Sequence, residues 1–478
     1  MQFDKKFLIL FALIAAFFLI SSIYYFHKTV QDGSSINMSD FRVYYYAGFR
    51  LEMNKNIYDV DDGYFIYKYA PIFALMMSVI KFTTVSPAAA LALWYFILFV
   101  SLILSVYVFR EIIFNLNTNM SVTLKFLYAV PFLFLFRYLI IVNFTNYLPH
   151  HWPAIVKLYD RFLFIFGIVY LSSLFFKYKD EIASAVSRPR NDRNQIIIIG
   201  ASLLFNLRFI LLNIDRGQVN LVILALLAYF MYYLSNRKEV TAGIYLGIAI
   251  VFKIVPAIFL IYLILKKRIR ALSAALITSL ALLFLPSFKW GFKYNMELMN
   301  SWLSALRMTL PAEYLNYKNQ SLLAMLSRFF SKSSDCFIIG LDEKYLLLLV
   351  GLVYIIAIAL LIYAVGKKGN VKSEHERSLC DLSLFFIAMI LLSPVGTKAT
   401  FIYTILPVAI LVKRAFEKSL RDVYINSGLL IYGISTYLNS SDIIGDMSIL
   451  LHKYSLMTLS LLILFGLIVY AKETEDNS

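Results

Sequence analysis

Apolar residues run along this chain in blocks close to the ~20 residues that a bilayer-crossing helix needs, separated by short polar or basic segments. The blocks are 7–26, 88–109, 121–142, 153–176, 195–213, 218–235, 270–286, 344–365, 378–393, 399–413, 423–438 and 450–471. They predict an all-α integral membrane protein, a polytopic helical bundle of twelve spans that forms a single domain over residues 1–478. One further apolar stretch, 242–264, is interrupted by Lys253-Ile254-Val255-Pro256, where the proline removes a backbone donor and disfavours continued helix. With basic residues at both ends, it reads as a broken, re-entrant pair buried in protein. A plain span with a proline kink is the alternative.

Composition agrees with a bilayer as solvent. Of the 478 residues 60% are apolar and 15% charged, and the mean hydropathy is +0.73, more apolar surface than a soluble globule buries. A net charge of +16 would suggest nucleic acid in a soluble domain. Here the basic residues fall between the blocks: Lys5 and Lys6, Arg110, the 177–194 segment, Arg237 and Lys238, the 266–270 run, Lys367 to Arg377, Lys413 to Arg421, and Lys472. Under the positive-inside rule these mark cytoplasmic ends of a multi-pass cell (inner) membrane protein, with both termini cytoplasmic and no nucleic-acid partner. Block 7–26 lacks a small-residue cleavage site and reads as a retained span. Loop 27–87, the turn 214–218 and loop 287–343 then lie outside the cell, where the two long loops and their short helices would cap an active site. Cys336 falls in an external loop and Cys380 at an internal helix end, so no disulfide is expected.

The external loops carry the unusual residues. Ser39-Asp40-Phe41-Arg42-Val43-Tyr44-Tyr45-Tyr46-Ala47-Gly48 places a carboxylate beside a guanidinium and three tyrosines just beyond the first block. Further segments are Tyr58-Asp59, Tyr67-Lys68-Tyr69-Ala70-Pro71-Ile72-Phe73-Ala74-Leu75, Asp215-Arg216-Gly217-Gln218-Val219-Asn220-Leu221, Ala242-Gly243-Ile244-Tyr245-Leu246-Gly247, Lys253-Ile254-Val255-Pro256, Asn319-Gln320-Ser321-Leu322 and Leu392-Ser393-Pro394. In order and spacing these segments resemble glycosyltransferase family 87. The resemblance implies a GT-C type bundle, a polyprenyl-phosphate mannose donor and Asp40 as catalytic base. After Ser393-Pro394 the family usually has a tryptophan and a histidine, whereas this chain reads Val395-Gly396-Thr397-Lys398. That histidine's role is either lost or taken by Lys398. Lys55 stands where a glycine is usual, and Ala70 where a second proline is.

The chemistry can be argued from the residues as well. Moving a sugar from a lipid phosphate to a hydroxyl needs one base for the acceptor proton while the anomeric carbon gains oxocarbenium character. The leaving phosphate needs cations and hydrogen-bond donors more than a proton. Asp40 with Arg42, Lys68, Arg208, Arg216, Gln218, Lys253, Asn319, Gln320 and Lys398 meets that inventory, with Tyr45, Tyr69 and Asn220 as further substrate-binding candidates. Each has a structural alternative. Asp40 could cap a helix, Arg208 could pair with Asp215 or snorkel to the interface, and Lys253 could line the bend of a broken helix.

Asp59-Val60-Asp61 has the form of a metal-binding motif of nucleotide-sugar enzymes but lies on the wrong side for such donors, and the adjacent His150-His151 lacks accompanying carboxylates. Neither is assigned a metal, and no cofactor is expected. The resulting expectation is an inverting membrane glycosyltransferase. It would take a polyprenyl-phosphate hexose, mannose above all, to a glycolipid or envelope-glycan acceptor at an extracytoplasmic site. A lipid or polysaccharide transporter, which would show inverted repeats, and an envelope polysaccharide polymerase are the alternatives.

Overall fold

The computed structural model describes residues 39–58, 66–83, 87–115, 192–371, 373–418, 420–440 and 444–474. The expected spans 7–26, 121–142 and 153–176, Lys5 and Lys6, Asp59 to Asp61 and His150-His151 lie outside the described residues. The protein is an all-α membrane protein. Among the described residues there is no β-strand, only the isolated bridges Asn319–Thr397 and Ser331–Leu341. Among the described residues, six helical segments are long and apolar enough to cross a membrane: Ala90–Ile113, Ile197–Asp215, Ile269–Trp290, Glu343–Gly366, Lys398–Glu417 and Leu456–Glu473.

Helices α1 (Ser39–Glu52) and α2 (Pro71–Thr83) occupy the first expected loop. They are followed by α3 (Pro87–Ile113), α4 (Asp192–Asp215), α5 (Asn220–Ser235), α6 (Glu239–Phe252), α7 (Ile258–Leu265) and α8 (Ile269–Phe284). Long helix α9 (Phe292–Tyr314) and short α10 (Leu322–Phe330) fill the second expected loop, leading to α11 (Glu343–Gly366) and α12 (Glu374–Leu391). A 3-10 segment (Lys398–Thr404) runs into α13 (Ile405–Glu417), and α14 (Val423–Leu438), α15 (Met447–Lys453) and α16 (Leu456–Glu473) close the chain. The single block 450–471 is thus two helices. They are split at Ser455, whose φ of 58° is left-handed and cannot continue an α-helix.

The stretch 242–264 is a hairpin within the bundle. Helix α6 stops at Lys253, which is extended (φ −155°, ψ 127°), a 3-10 turn over Val255–Ala257 reverses the chain, and α7 returns. Both ends meet on one side, where Arg268 pairs with Glu239 at 3.0 Å. Fourteen residues of α6 rise roughly 21 Å at ~1.5 Å each, short of the ~30 Å hydrocarbon core. Pro256 explains the break, since it has no N–H to donate to a continued helix.

The bundle has two chemically different ends. At one end lie Arg110 with Gln195, the Lys413–Glu376 and Arg414–Glu417 pairs, and a triad in which buried Asp381 is bound by Lys472 at 2.6 Å and Lys266 at 2.7 Å. The opposite end gathers α1, α2, the 216–219 turn, Lys253 and α9. Cys380 lies buried next to Asp381, and Cys336 sits near the Lys453 carbonyl at the opposite end, both unbridged.

Helices α6 and α8 run side by side in the same direction with their backbones in contact. A Cβ added at Gly243 would stand 2.3 Å from the Ala271 carbonyl oxygen, and one at Gly247 would stand 2.7 Å from that of Ala275. This is the close approach that small residues four apart allow between membrane helices. Gly243→Ala should therefore lower the thermal midpoint of the purified protein, at a cost of about 1–3 kcal/mol for overpacking against backbone. Gly200→Ala meets nothing within 4 Å and should be neutral or slightly stabilising, because alanine is the better helix former. Equal midpoints for the two variants would refute the contact.

Candidate active site

Asp40 stands in the first turn of α1 at the end where α3, α4, α5 and α6 converge. The helix is held there by aromatic packing. Phe41 and Tyr44 set their rings 6.3 and 6.1 Å from Trp94 of α3, and Tyr44 lies edge-on to Phe73 of α2 at 5.0 Å. Trp94 also donates its indole N–H to the Gly217 carbonyl at 2.8 Å, tying α3 to the tight turn between α4 and α5. Gly217 adopts a left-handed φ of 61°, which a residue without Cβ takes at no steric cost. That turn presents Gln218, whose Nε2 donates to Asp40 Oδ2 at 2.5 Å.

Behind this contact is a continuous hydrogen-bond chain. Lys253 Nζ donates to Asn220 Oδ1 at 3.0 Å, Asn220 Nδ2 donates to Gln218 Oε1 at 3.1 Å, and Gln218 Nε2 reaches Asp40. Its direction is determined by its ends. An ammonium only donates and an ionised carboxylate only accepts, so each amide between them can face only one way. Asn220 is the junction. Its oxygen also accepts from Tyr403 Oη at 3.1 Å, and its Nδ2 also reaches Asn213 Oδ1 at 3.0 Å, while Asn213 Nδ2 bonds the Phe209 and Ala399 carbonyls.

Burial raises the Asp40 carboxyl above its ordinary value of 3.8, opposed by the Arg216 guanidinium, the Gln218 hydrogen bond, and the charges of Lys253 and Lys68. Burial thus favours the neutral carboxyl, while three cations and the Gln218 hydrogen bond favour the carboxylate. The lower wall is tyrosine-rich, with Tyr69 and Tyr44 joined through their hydroxyls at 2.8 Å and Tyr58 donating to the Tyr69 carbonyl at 2.7 Å.

The two expected external loops meet over this site. Lys68 pairs with Glu313 of α9 at 3.2 Å, Trp302 donates to the Lys68 carbonyl at 3.1 Å, and Lys289 pairs with Glu52. Helix α9 therefore packs against Lys68 and, through Tyr294 and Ser301, against Lys55 and Asn56.

Other sequence candidates stand elsewhere. Arg42 lies over the Tyr46 ring at 5.8 Å, and Tyr45 is packed between Phe41 and Tyr46. Arg208 is on α4, roughly 10 Å below Asp215 at the usual helical rise. Asn319 stitches two loops together, donating to the Glu313 and Pro394 carbonyls and accepting from the Ser321 and Gly396 N–H groups. Gln320 is buried, bonded to the Tyr317 and His452 carbonyls. Lys398 donates to the Asn439 carbonyl at 2.7 Å.

Sequence reasoning passed over Asn213, Tyr403, Glu313 and His452. The first three are ordinary residues in apolar or helical context, and nothing local marks them. His452 is buried beside Lys398 and Arg328, and burial with those two charges pushes it down to about 3. Arg328 is itself fully enclosed, bound to the carbonyls of Lys453, Asn316 and Asn319 and to Ser455 Oγ.

The sequence profile of glycosyltransferase family 87 matches residues 126–394, more than half of the chain. The match includes Gln218, Asn220, Lys253, Asn319 and Gln320 and ends before Lys398, while Asp40 precedes it. No curated protein and no solved structure matches the chain.

Asn220→Ala should leave the Lys253, Tyr403 and Gln218 groups without their shared partner and lower the thermal midpoint, at about 1–3 kcal/mol for a buried polar group left unsatisfied. Identical midpoints for wild type and Asn220→Ala would remove Asn220 as the junction of the network.

Proposed function

The chain belongs to glycosyltransferase family 87, and we propose that it is the GT-C type enzyme expected above. In this reading it moves a hexose, mannose in the first instance, from a polyprenyl phosphate to a glycolipid or envelope-glycan hydroxyl. The observation that carries the reading is Asp40, held by Gln218 amid the charges of Arg216, Lys253 and Lys68, the last of which also pairs with Glu313. A transferase with a phosphate leaving group needs a base for the acceptor proton and cations for the departing phosphate.

The proposed step is a direct displacement. Asp40 accepts the proton of the acceptor hydroxyl as that oxygen attacks the anomeric carbon from the face opposite the phosphate. The bond from carbon to phosphate oxygen breaks and the configuration inverts. The departing phosphate gains negative charge, which Arg216, Lys253 and Lys68 are disposed to balance. Tyr69 and the α9 cap would border the sugar, and the loops stitched by Asn319 and Gln320 would support that cap. The basic end, with Lys266, Lys472, Arg268 and Lys413, faces the cytoplasm in this reading, so the Asp40 end and loops 27–87 and 287–343 face out.

Membranes containing the protein, offered labelled polyprenyl-phosphate mannose, polyprenyl-phosphate glucose and GDP-mannose in parallel, should transfer label from polyprenyl-phosphate mannose. Asp40→Asn keeps the size of the side chain but cannot take the proton. Its activity should fall by roughly two or more orders of magnitude, with thermal stability and lipid-donor binding retained. Direct use of GDP-mannose, or a variant keeping above about a tenth of the activity, would overturn the assignment.

The pH profile offers an independent check. Because burial raises the Asp40 carboxyl, the active carboxylate form is lost as pH falls through a value above 3.8, and the acid limb of kcat/KM should lie there. Lys253→Met removes a charge that favours the carboxylate, so that limb should move to higher pH. A limb that stays in place would show that Lys253 does not act on the base.

A further inference from the structure

The end of the bundle opposite Asp40 holds a cavity of about 760 Å³ lined by the two turns that begin α6 and α8. Five of its lining residues are cations: Arg237 and Lys238 from one turn, and Lys267, Arg268 and Arg270 from the other. The single carboxylate of the lining, Glu239, is paired with Arg268 at 3.0 Å. The cavity is therefore strongly positive.

The two turns repeat one backbone design. In each, a helix ends in a residue near φ −85 to −89°, the next residue is left-handed, and the one after caps the following helix at φ near −88° and ψ near 63°. The left-handed positions are Arg237 (φ 58°) and Lys267 (φ 53°). Glycine or asparagine would sit there with less strain, yet both positions carry long cationic side chains in the cavity lining. Helices α6 and α8 also begin here, so two positive helix ends and their free N–H groups face the same space. Val240 and Ile269 also line it and are 55% and 58% exposed, apolar surface directly beside the cations.

Positive-inside charge alone asks only for basic residues on the correct side. It does not ask them to line one concave space from two turns, nor to occupy left-handed positions. We propose that this cavity binds a phosphate group, with the exposed apolar rim favouring the headgroup of an anionic phospholipid as its source. The site would anchor the α6–α7 hairpin, whose far tip carries Lys253 to Asp40. The proposal does not depend on the reaction at Asp40.

The test uses the full-length protein in phosphatidylcholine nanodiscs, with and without phosphatidylglycerol, and a third arm in which inorganic phosphate is added to the phosphatidylcholine discs. Phosphatidylglycerol should raise the thermal midpoint of the wild type. The double variant Arg237→Asn, Lys267→Asn should lose most of that rise. In pure phosphatidylcholine it should melt no lower than wild type, since asparagine accepts the left-handed conformation, so loss of the lipid effect is not loss of fold. Lys368→Asn with Arg421→Asn removes two exposed charges from the same end outside the cavity and should keep the rise. A matching rise with inorganic phosphate would identify free phosphate as a source; a rise with phosphatidylglycerol alone identifies the lipid. The proposal is overturned if neither raises the midpoint, if the Arg237/Lys267 variant keeps the rise, or if the Lys368/Arg421 control loses it equally.

Discussion

The hydrogen-bond chain from Lys253 through Asn220 and Gln218 to Asp40 is the constraint on which the site depends. Every link is an amide with two unlike ends, and only the ammonium at one terminus and the carboxylate at the other determine which way each amide points. The arrangement gives Asp40 a hydrogen bond that favours its ionised form, while burial opposes ionisation. In the proposed reading Asp40 is the base, and burial makes it a stronger one than an exposed aspartate.

The rest of the architecture delivers the ends of that chain. Lys253 arrives because α6 breaks there and the proline turn sends α7 back. A continuous helix would carry the lysine past the site. The break is sustained because α6 is clasped by α8 through Gly243 and Gly247 and its base is tied by Glu239 and Arg268. Asp40 arrives because α1 is anchored by its aromatic face on Trp94, and Trp94 in turn holds the Gly217 turn that presents Gln218. The same tryptophan thus positions both partners of the shortest contact in the site.

Charge is divided between the two ends for different purposes. At the basic end, Asp381 is shared between Lys472 and the half-buried Lys266, and removing it would leave two neighbouring ammonium groups without their counter-charge. At the Asp40 end Arg216, Lys253 and Lys68 lie around Asp40, and in the proposed reading they balance a substrate's negative charge. A second polar group, buried Arg328 and His452 with half-buried Lys398, stands behind the Asn319-Gln320 loop. Arg328 is satisfied chiefly by backbone carbonyls there, so it fastens the loop to the start of α16.

What the sequence determined by itself was set by solvent and by local covalent chemistry. The bilayer demands long apolar blocks and segregates charge, so the helical class and the division into a basic and a polar-aromatic end can be read from position alone. Pro256 announces the break in 242–264 because a missing N–H is a local fact. Gln218 and Asn220 stood out at the start of an apolar block, Lys253 at the interruption of 242–264, and Asp40 in the polar-aromatic loop after the first block. Only the tertiary structure decided that these four form one directed chain, that Asn213 and Tyr403 complete it, and that Asn319 and Gln320 make their amide hydrogen bonds to backbone. It also split the last block at Ser455 and brought Arg237 and Lys267 into one cavity. These outcomes depend on which helix ends meet across 30 to nearly 200 residues of chain, and pattern along the sequence carries no information about that, because hydrophobic periodicity says which face is buried but not against what.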